Sequence, residues 1–87
     1  MEIKNLIILS TAHLHPLEAE KVNEISYIAS QTCNLMLTDE EMCKLYEEHQ
    51  CPCLADLLRA VRSGYQADYV LFDADANTSA AFRQYDW

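Results

Sequence analysis

Short apolar runs alternate with amphipathic stretches along the chain, and their order sets the expected elements. Ile3 to Leu9 is nearly continuous apolar sequence, β-branched in its middle, which predicts a strand buried on both faces. Pro16 suits the first turn of a helix, where its missing N–H breaks no bond. Behind it Val22, Ile25, Ile28 and Ala29 recur at spacings of three and four and form an inward face. Glu18, Glu20, Lys21 and Glu24 fall mainly away from that face. The helix is expected to end near Gln31, and Cys33 to Leu37 predicts a second, weaker strand.

Thr38-Asp-Glu-Glu41 matches a capping box, in which the Thr38 hydroxyl accepts from the Glu41 amide while Glu41 reaches back. Met42, Leu45 and Tyr46 give the short helix that follows its inward face. Cys51-Pro52-Cys53 breaks it. Leu54, Leu57, Leu58 and Val61 then make the stripe of a third helix, with Gly64 as its expected end. Tyr69 to Phe72 predicts a third strand, and Asp73 to Trp87 reads as an irregular tail ending in aromatic residues.

The order β-α-β-α-α-β implies an α/β fold with crossover connections and hence a mainly parallel, three-stranded sheet. The uniformly apolar first strand belongs in the middle, giving the order 2-1-3 with helices on both faces. Residues 1–87 make a single domain, because chains of this length rarely divide.

Composition narrows the function classes. With 51% hydrophobic residues the chain is too apolar for disorder. Fourteen Asp and Glu against six Lys and Arg give a net charge of −8, which argues against a basic nucleic-acid patch. No apolar run reaches the roughly 20 residues of a membrane span, nor does a basic segment precede one, so a cytoplasmic protein is expected. In a reducing cytosol, Cys33, Cys43, Cys51 and Cys53 are expected to be free thiols.

Candidate chemistry gathers at the carboxyl ends of the strands, where open parallel sheets bind ligands. His13, His15, Thr38, Asp39, Asp73 and Asp75 fall there, and a histidine facing two carboxylates could serve a hydrolytic or Mg²⁺ site. The run Tyr69-Val-Leu-Phe-Asp73-Ala-Asp75 superficially resembles the phosphatase motif of an apolar strand ending in Asp-x-Asp. Only twelve residues follow Asp75, too few for the further domain that family needs. One glycine also leaves no room for a phosphate loop. Cys43, His49, Cys51 and Cys53 are weak candidates for zinc, since their spacing departs from the usual paired ligands. No cofactor is expected. The acidic balance also works against a low-pKa catalytic thiol.

Charge remains, and it is local. Glu18, Glu20 and Glu24 lie on the first helix, and Asp39, Glu40, Glu41, Glu47 and Glu48 on the second. The third is nearly balanced, with Asp56 facing Arg59 and Arg62. A charge run is most often a solvated face. The sharper alternative is that these carboxylates imitate nucleic-acid phosphates, which recur about every 1.7 Å of duplex.

Ile7-Ile-Leu-Ser-Thr-Ala-His13, Ala67-Asp-Tyr-Val-Leu-Phe-Asp73-Ala-Asp75 and Tyr85-Asp-Trp87 resemble the two ends of a family of small uncharacterised proteins encoded on phages, plasmids and integrated elements. That resemblance implies a genomic setting in which small acidic proteins often inhibit host defence nucleases. It supplies no catalytic residues. The resulting expectation is a non-enzymatic protein that occupies the nucleic-acid site of a host defence complex, of anti-CRISPR or anti-restriction type. Glu18, Glu20, Glu24, Asp39, Glu40, Glu41, Glu47 and Glu48 would make the contact, and Tyr46, Tyr65, Tyr85 and Trp87 could anchor it. The alternatives are a small hydrolase or metal-binding module built on His13, Asp73 and Asp75, and a module that homodimerises through an open sheet edge or its tail.

Overall fold

In a computed structural model, residues 3–32 and 34–85 are described, the Ala29 side chain excepted. Cys33 and the anchor Trp87 therefore lie outside the described residues. Strand β1 (Leu6–Ser10) runs into a 3₁₀ turn (Thr11–His13) and helix α1 (Pro16–Ser30). Strand β2 (Leu35–Leu37), helices α2 (Glu40–Glu48) and α3 (Pro52–Tyr65) and strand β3 (Tyr69–Asp73) follow. The element order is the expected one.

The sheet is arranged differently from the expectation. Its order is β1-β3-β2, so β3 and not β1 is central. β1 pairs with β3 in parallel, whereas β2 pairs with β3 antiparallel, and the sheet is mixed. Uniform hydrophobicity misled here. Leu9 is buried and Ile7 half-buried, but Leu6 and Ile8 are more than half exposed, so β1 is an edge strand with one covered face. β2 reverses because Gln31 and Asn34 both adopt left-handed backbone, with φ of 58° and 60°. Polar side chains of α1 hold that reversal. Ser26 Oγ accepts from the Asn34 amide at 3.0 Å, and Ser30 Oγ donates to the Leu35 carbonyl at 2.7 Å.

Cross-strand register puts Ile7, Val70 and Met36 in one row and Leu9 beside Phe72. These side chains join Val22 and Ile25 of α1, Cys43 and Tyr46 of α2, and Leu54, Ala55, Leu58 and Val61 of α3 in a single core. The helices therefore cover one face of the sheet, not both. On α1 the inward face is rotated from the expected one: Val22 and Ile25 are buried beside Glu18 and Ser26, while Ile28 is exposed.

Two helix ends also differ. The Thr38 hydroxyl donates to the Ala67 carbonyl at 2.6 Å and accepts from Arg62 Nη1, so no capping box forms and Asp39 is the N-cap residue. Gly64 is helical, and α3 ends instead at Gln66, whose φ of 54° closes it. Beyond β3, the Tyr85 amide donates to the Ala12 carbonyl at 2.9 Å, and Phe82 lies against the core.

Candidate functional site: the acidic helical surface

The α2–α3 pair carries the densest charge. Arg59 of α3 donates through Nη2 to Glu40 Oε1 at 2.8 Å and through Nε to Glu40 Oε2 at 3.0 Å, a bidentate fork across the two helices. Its Nη2 also meets Glu47 Oε1, and Nη1 lies 3.5 Å from Asp56 Oδ1. One guanidinium thus gathers three carboxylates and leaves a local excess of negative charge. The Arg59 hydrogen bond holds the Glu40 carboxyl below the usual carboxylate range. Glu41 and Glu48 flank this cluster, exposed and without an ion pair among the described residues. The sequence pairs Arg59 with Asp56 on its own helix. Its stronger partners lie across the hairpin, as the facing apolar stripes on either side of Cys51-Pro52 could have indicated.

On α1, Glu20 and Glu24 are exposed, interleaved with exposed Leu17, Tyr27 and Ile28. Spacings of three and four place these five residues on one stripe of the helix. The stripe is part apolar and part acidic.

Two residues of the expected contact set leave it. Glu18 is buried at 6% exposure, and its carboxylate accepts from the Cys53 amide at 3.2 Å and the Leu54 amide at 2.8 Å. Those are the second and third residues of α3, whose N-cap residue Cys51 provides no side-chain cap. Glu18 therefore caps α3 from another helix, where both the free amides and the helix dipole favour an anion. Tyr46 is fully buried, its hydroxyl donating to the Leu37 carbonyl at 2.8 Å. It belongs to the core.

The strand-end group separates as well. His13 is buried, its Nε2 accepts from the Ser79 amide at 3.0 Å, and Nδ1 faces the Arg83 carbonyl at 2.9 Å. The Ser79 contact requires Nε2 unprotonated, so Nδ1 carries the proton and donates to Arg83. Both ring nitrogens thus fasten the segment after β3, and the ring edge meets Phe82 with centroids 5.9 Å apart. Asp73 and Asp75 are exposed, and Asp73 Oδ1 accepts from the Asp75 amide at 2.9 Å. A cleft of about 340 Å³ opens between α3 and this segment, lined by Cys53, Asp56, Leu57, Phe82, Arg83 and Tyr85. Sequence reasoning missed it because its far wall has no secondary structure. Tyr85 packs edge-on to His15, with the Arg83 guanidinium over its ring. Among the named aromatics Tyr65 is exposed.

The zinc candidates do not converge. Cys43 Sγ lies 3.6 Å from the Thr38 carbonyl and Cys51 Sγ 3.7 Å from the His49 carbonyl. Burial pushes the Cys43, Cys51 and Cys53 thiols up, all three free. Among the described residues no group of three or more His, Cys, Asp or Glu side chains could hold a metal ion, and no helix is long and apolar enough to cross a membrane.

Comparison with curated proteins and with solved structures returns no match. A family model described as "Family of unknown function (DUF5983) C-terminal domain" matches residues 6–87. The match spans nearly the whole chain, both the segments that carry the resemblance and the cysteine-bearing middle, and the chain belongs to this family.

Proposed function

We propose that this domain is a non-enzymatic binding protein that sets the acidic surface of α1 and α2 against a basic partner. The partner class that fits best is a nucleic-acid-binding host defence complex, of CRISPR-effector or restriction type, met in the cytoplasm of a cell carrying a phage or other mobile element. The domain would inhibit by occupying the groove that takes nucleic acid.

One observation carries the reading. Glu40, Glu47 and Asp56 are held in place around Arg59, with Glu41 and Glu48 beside them. Carboxylates fixed on two helices lose little side-chain freedom when a partner binds, which favours affinity. Excess negative charge on a rigid face also steers a basic partner and makes association strongly dependent on salt.

The direct test reverses exposed charges that form no ion pair among the described residues. Glu20, Glu24, Glu41 and Glu48 are changed together to Lys, and capture of proteins from a host lysate is compared with wild type at low and high salt. The expected result is a partner retained by wild type at low salt, released by high salt, and absent with the variant, whose circular dichroism is unchanged. Equal retention by both proteins would make the charge irrelevant to binding. The hydrolase alternative loses support from His13, whose two ring nitrogens are occupied by backbone groups.

A further inference from the structure

The segment after β3, residues 74–85, lies on the fold with no helix or strand of its own. His13 ties it down at two points. Its Nε2 accepts from the Ser79 amide at 3.0 Å, and its Nδ1 donates to the Arg83 carbonyl at 2.9 Å. The ring is only 3% exposed. The Tyr85 amide adds a bond to the Ala12 carbonyl, and Phe82 meets both His13 and Tyr65 with ring centroids 5.9 Å apart. Beneath the segment run the cleft beside α3 and a groove of about 280 Å³, where Ser79 and Phe82 face Ile7, Ile8 and Leu9 of β1 and Tyr65 of α3.

The Ser79 contact exists only for the neutral ring. An imidazolium carries a proton on both nitrogens, so Nε2 would aim an N–H at the Ser79 N–H and lose its role as acceptor. The groups around the ring do not offset that charge. From α3, Cys53 and Asp56 share its cleft, but the Asp56 carboxylate is directed to Arg59 Nη1 at 3.5 Å. From the segment itself, Tyr85 and the cationic Arg83 share it, with the guanidinium over the Tyr85 ring. At the close of β3, Asp73 Oδ1 is taken by the Asp75 amide. His15, ahead of α1, packs edge-on to Tyr85 and accepts from the Leu17 amide through Nδ1. Among the described residues no carboxylate forms an ion pair with His13.

We propose that His13 is an acid-sensitive fastener: its neutral ring holds residues 79–85 against β1 and α3, and its protonation releases that stretch while the sheet and helices stay folded. The core supports separate release. It is built from the three strands and three helices, and of the segment only Phe82 packs against it. The direction follows from which form binds. The closed segment needs the neutral ring, whereas in the open form the ring is free to take a proton. An exposed imidazole does so near pH ~6.5, so the closed form loses population about tenfold for each pH unit below that. Release removes the irregular wall of the cleft and uncovers Leu57 and Tyr65 of α3 and Ile7 of β1.

Amide hydrogen exchange of the full chain, followed by NMR at about pH 7.5 and about pH 5.5 and corrected for the intrinsic rates, tests this. The protection of Ser79, taken relative to Val70 in the central strand, is expected to fall about tenfold at the lower pH. His13→Gln offers a carbonyl to Ser79 and an N–H to Arg83 but cannot titrate, so its ratio is expected to be the same at both pH values. His15→Asn keeps an N-cap acceptor for α1 while removing the neighbouring imidazole, and is expected to respond as wild type does. A wild-type ratio that does not change overturns the proposal, whether Ser79 stays protected or Val70 loses protection in step with it. A His13→Gln chain that responds like wild type also overturns it. Loss of the response in His15→Asn assigns the sensing to His15 and overturns it as well. None of these readouts involves a partner or the acidic surface, so this inference stands or fails separately from the proposed function.

Discussion

Glu18 provides the sharpest test of how the fold uses its charge. Replacing it with Ala removes both acceptors from the Cys53 and Leu54 amides, at 3.2 and 2.8 Å, in a position that is 6% exposed. Loss of a helix cap costs about 0.5–2 kcal/mol. That cost includes the Leu54 amide left without an acceptor, and it rises toward about 3 kcal/mol where the amide is buried away from water. The favourable dipole contact, worth about 0.3–1 kcal/mol, goes as well. Against these stands relief from burying a carboxylate, so the net loss should be about 2–3 kcal/mol. In a domain of this size each kcal/mol moves Tm by about 4–8 °C, so thermal unfolding followed by circular dichroism should show a drop of about 10–20 °C. Glu18→Gln keeps one oxygen for Leu54 and should fall about midway. Glu20→Ala, one turn position away but exposed, should stay within about 0.5 kcal/mol of wild type. A Glu18→Ala protein that melts within a few degrees of wild type, or no lower than Glu20→Ala, would refute the capping role.

Four further outcomes follow from the structure. His13→Ala leaves the Ser79 amide and Arg83 carbonyl without their partner, so hydrogen exchange at Ser79 should quicken by about tenfold or more, with a local loss of about 2 kcal/mol. Gly64→Ala meets nothing within 4 Å in a helical position and should stabilise by about 0.5–1 kcal/mol in denaturant titration, whereas Gln66→Gly should stabilise by relieving a positive φ. Glu40 titrates below the ordinary carboxylate range because Arg59 binds its ionised form. The stability this adds is complete above the unfolded value and is lost as pH falls through the folded one. Arg59→Gln should raise the Glu40 pKa seen by NMR toward the ordinary value and flatten that acid-side dependence.

The order and type of the three α-helices and three strands were legible because each apolar run had one period, whereas the 3₁₀ turn at Thr11–His13 carried no such signal. Sheet order was not. The string Leu6-Ile-Ile-Leu9 reads as doubly buried, yet Leu6 and Ile8 face outward on an edge strand. Hydrophobicity alone does not distinguish a face covered by helices from one left open. β2 could not be oriented because its reversal depends on left-handed backbone at Gln31 and Asn34, positions where glycine is the usual signal. The charged surface was half legible. Glu20, Glu24, Glu41 and Glu48 are exposed as their spacing implied, but Glu18 sits one helical step toward the core, where α3 lacks a cap of its own. Thr38 looked like a cap and instead bonds to Ala67, a residue distant in sequence. Local motifs yielded wherever a long-range partner competed for the same group.

Competition with duplex DNA tests the central claim most directly. Whatever protein the wild-type domain retains from host lysate at low salt is challenged with increasing DNA while the domain stays immobilised. Mimicry of phosphates predicts that DNA releases the partner in proportion to its own affinity for that partner, because both use one groove. A partner that remains bound with its nucleic-acid site filled would contradict the account.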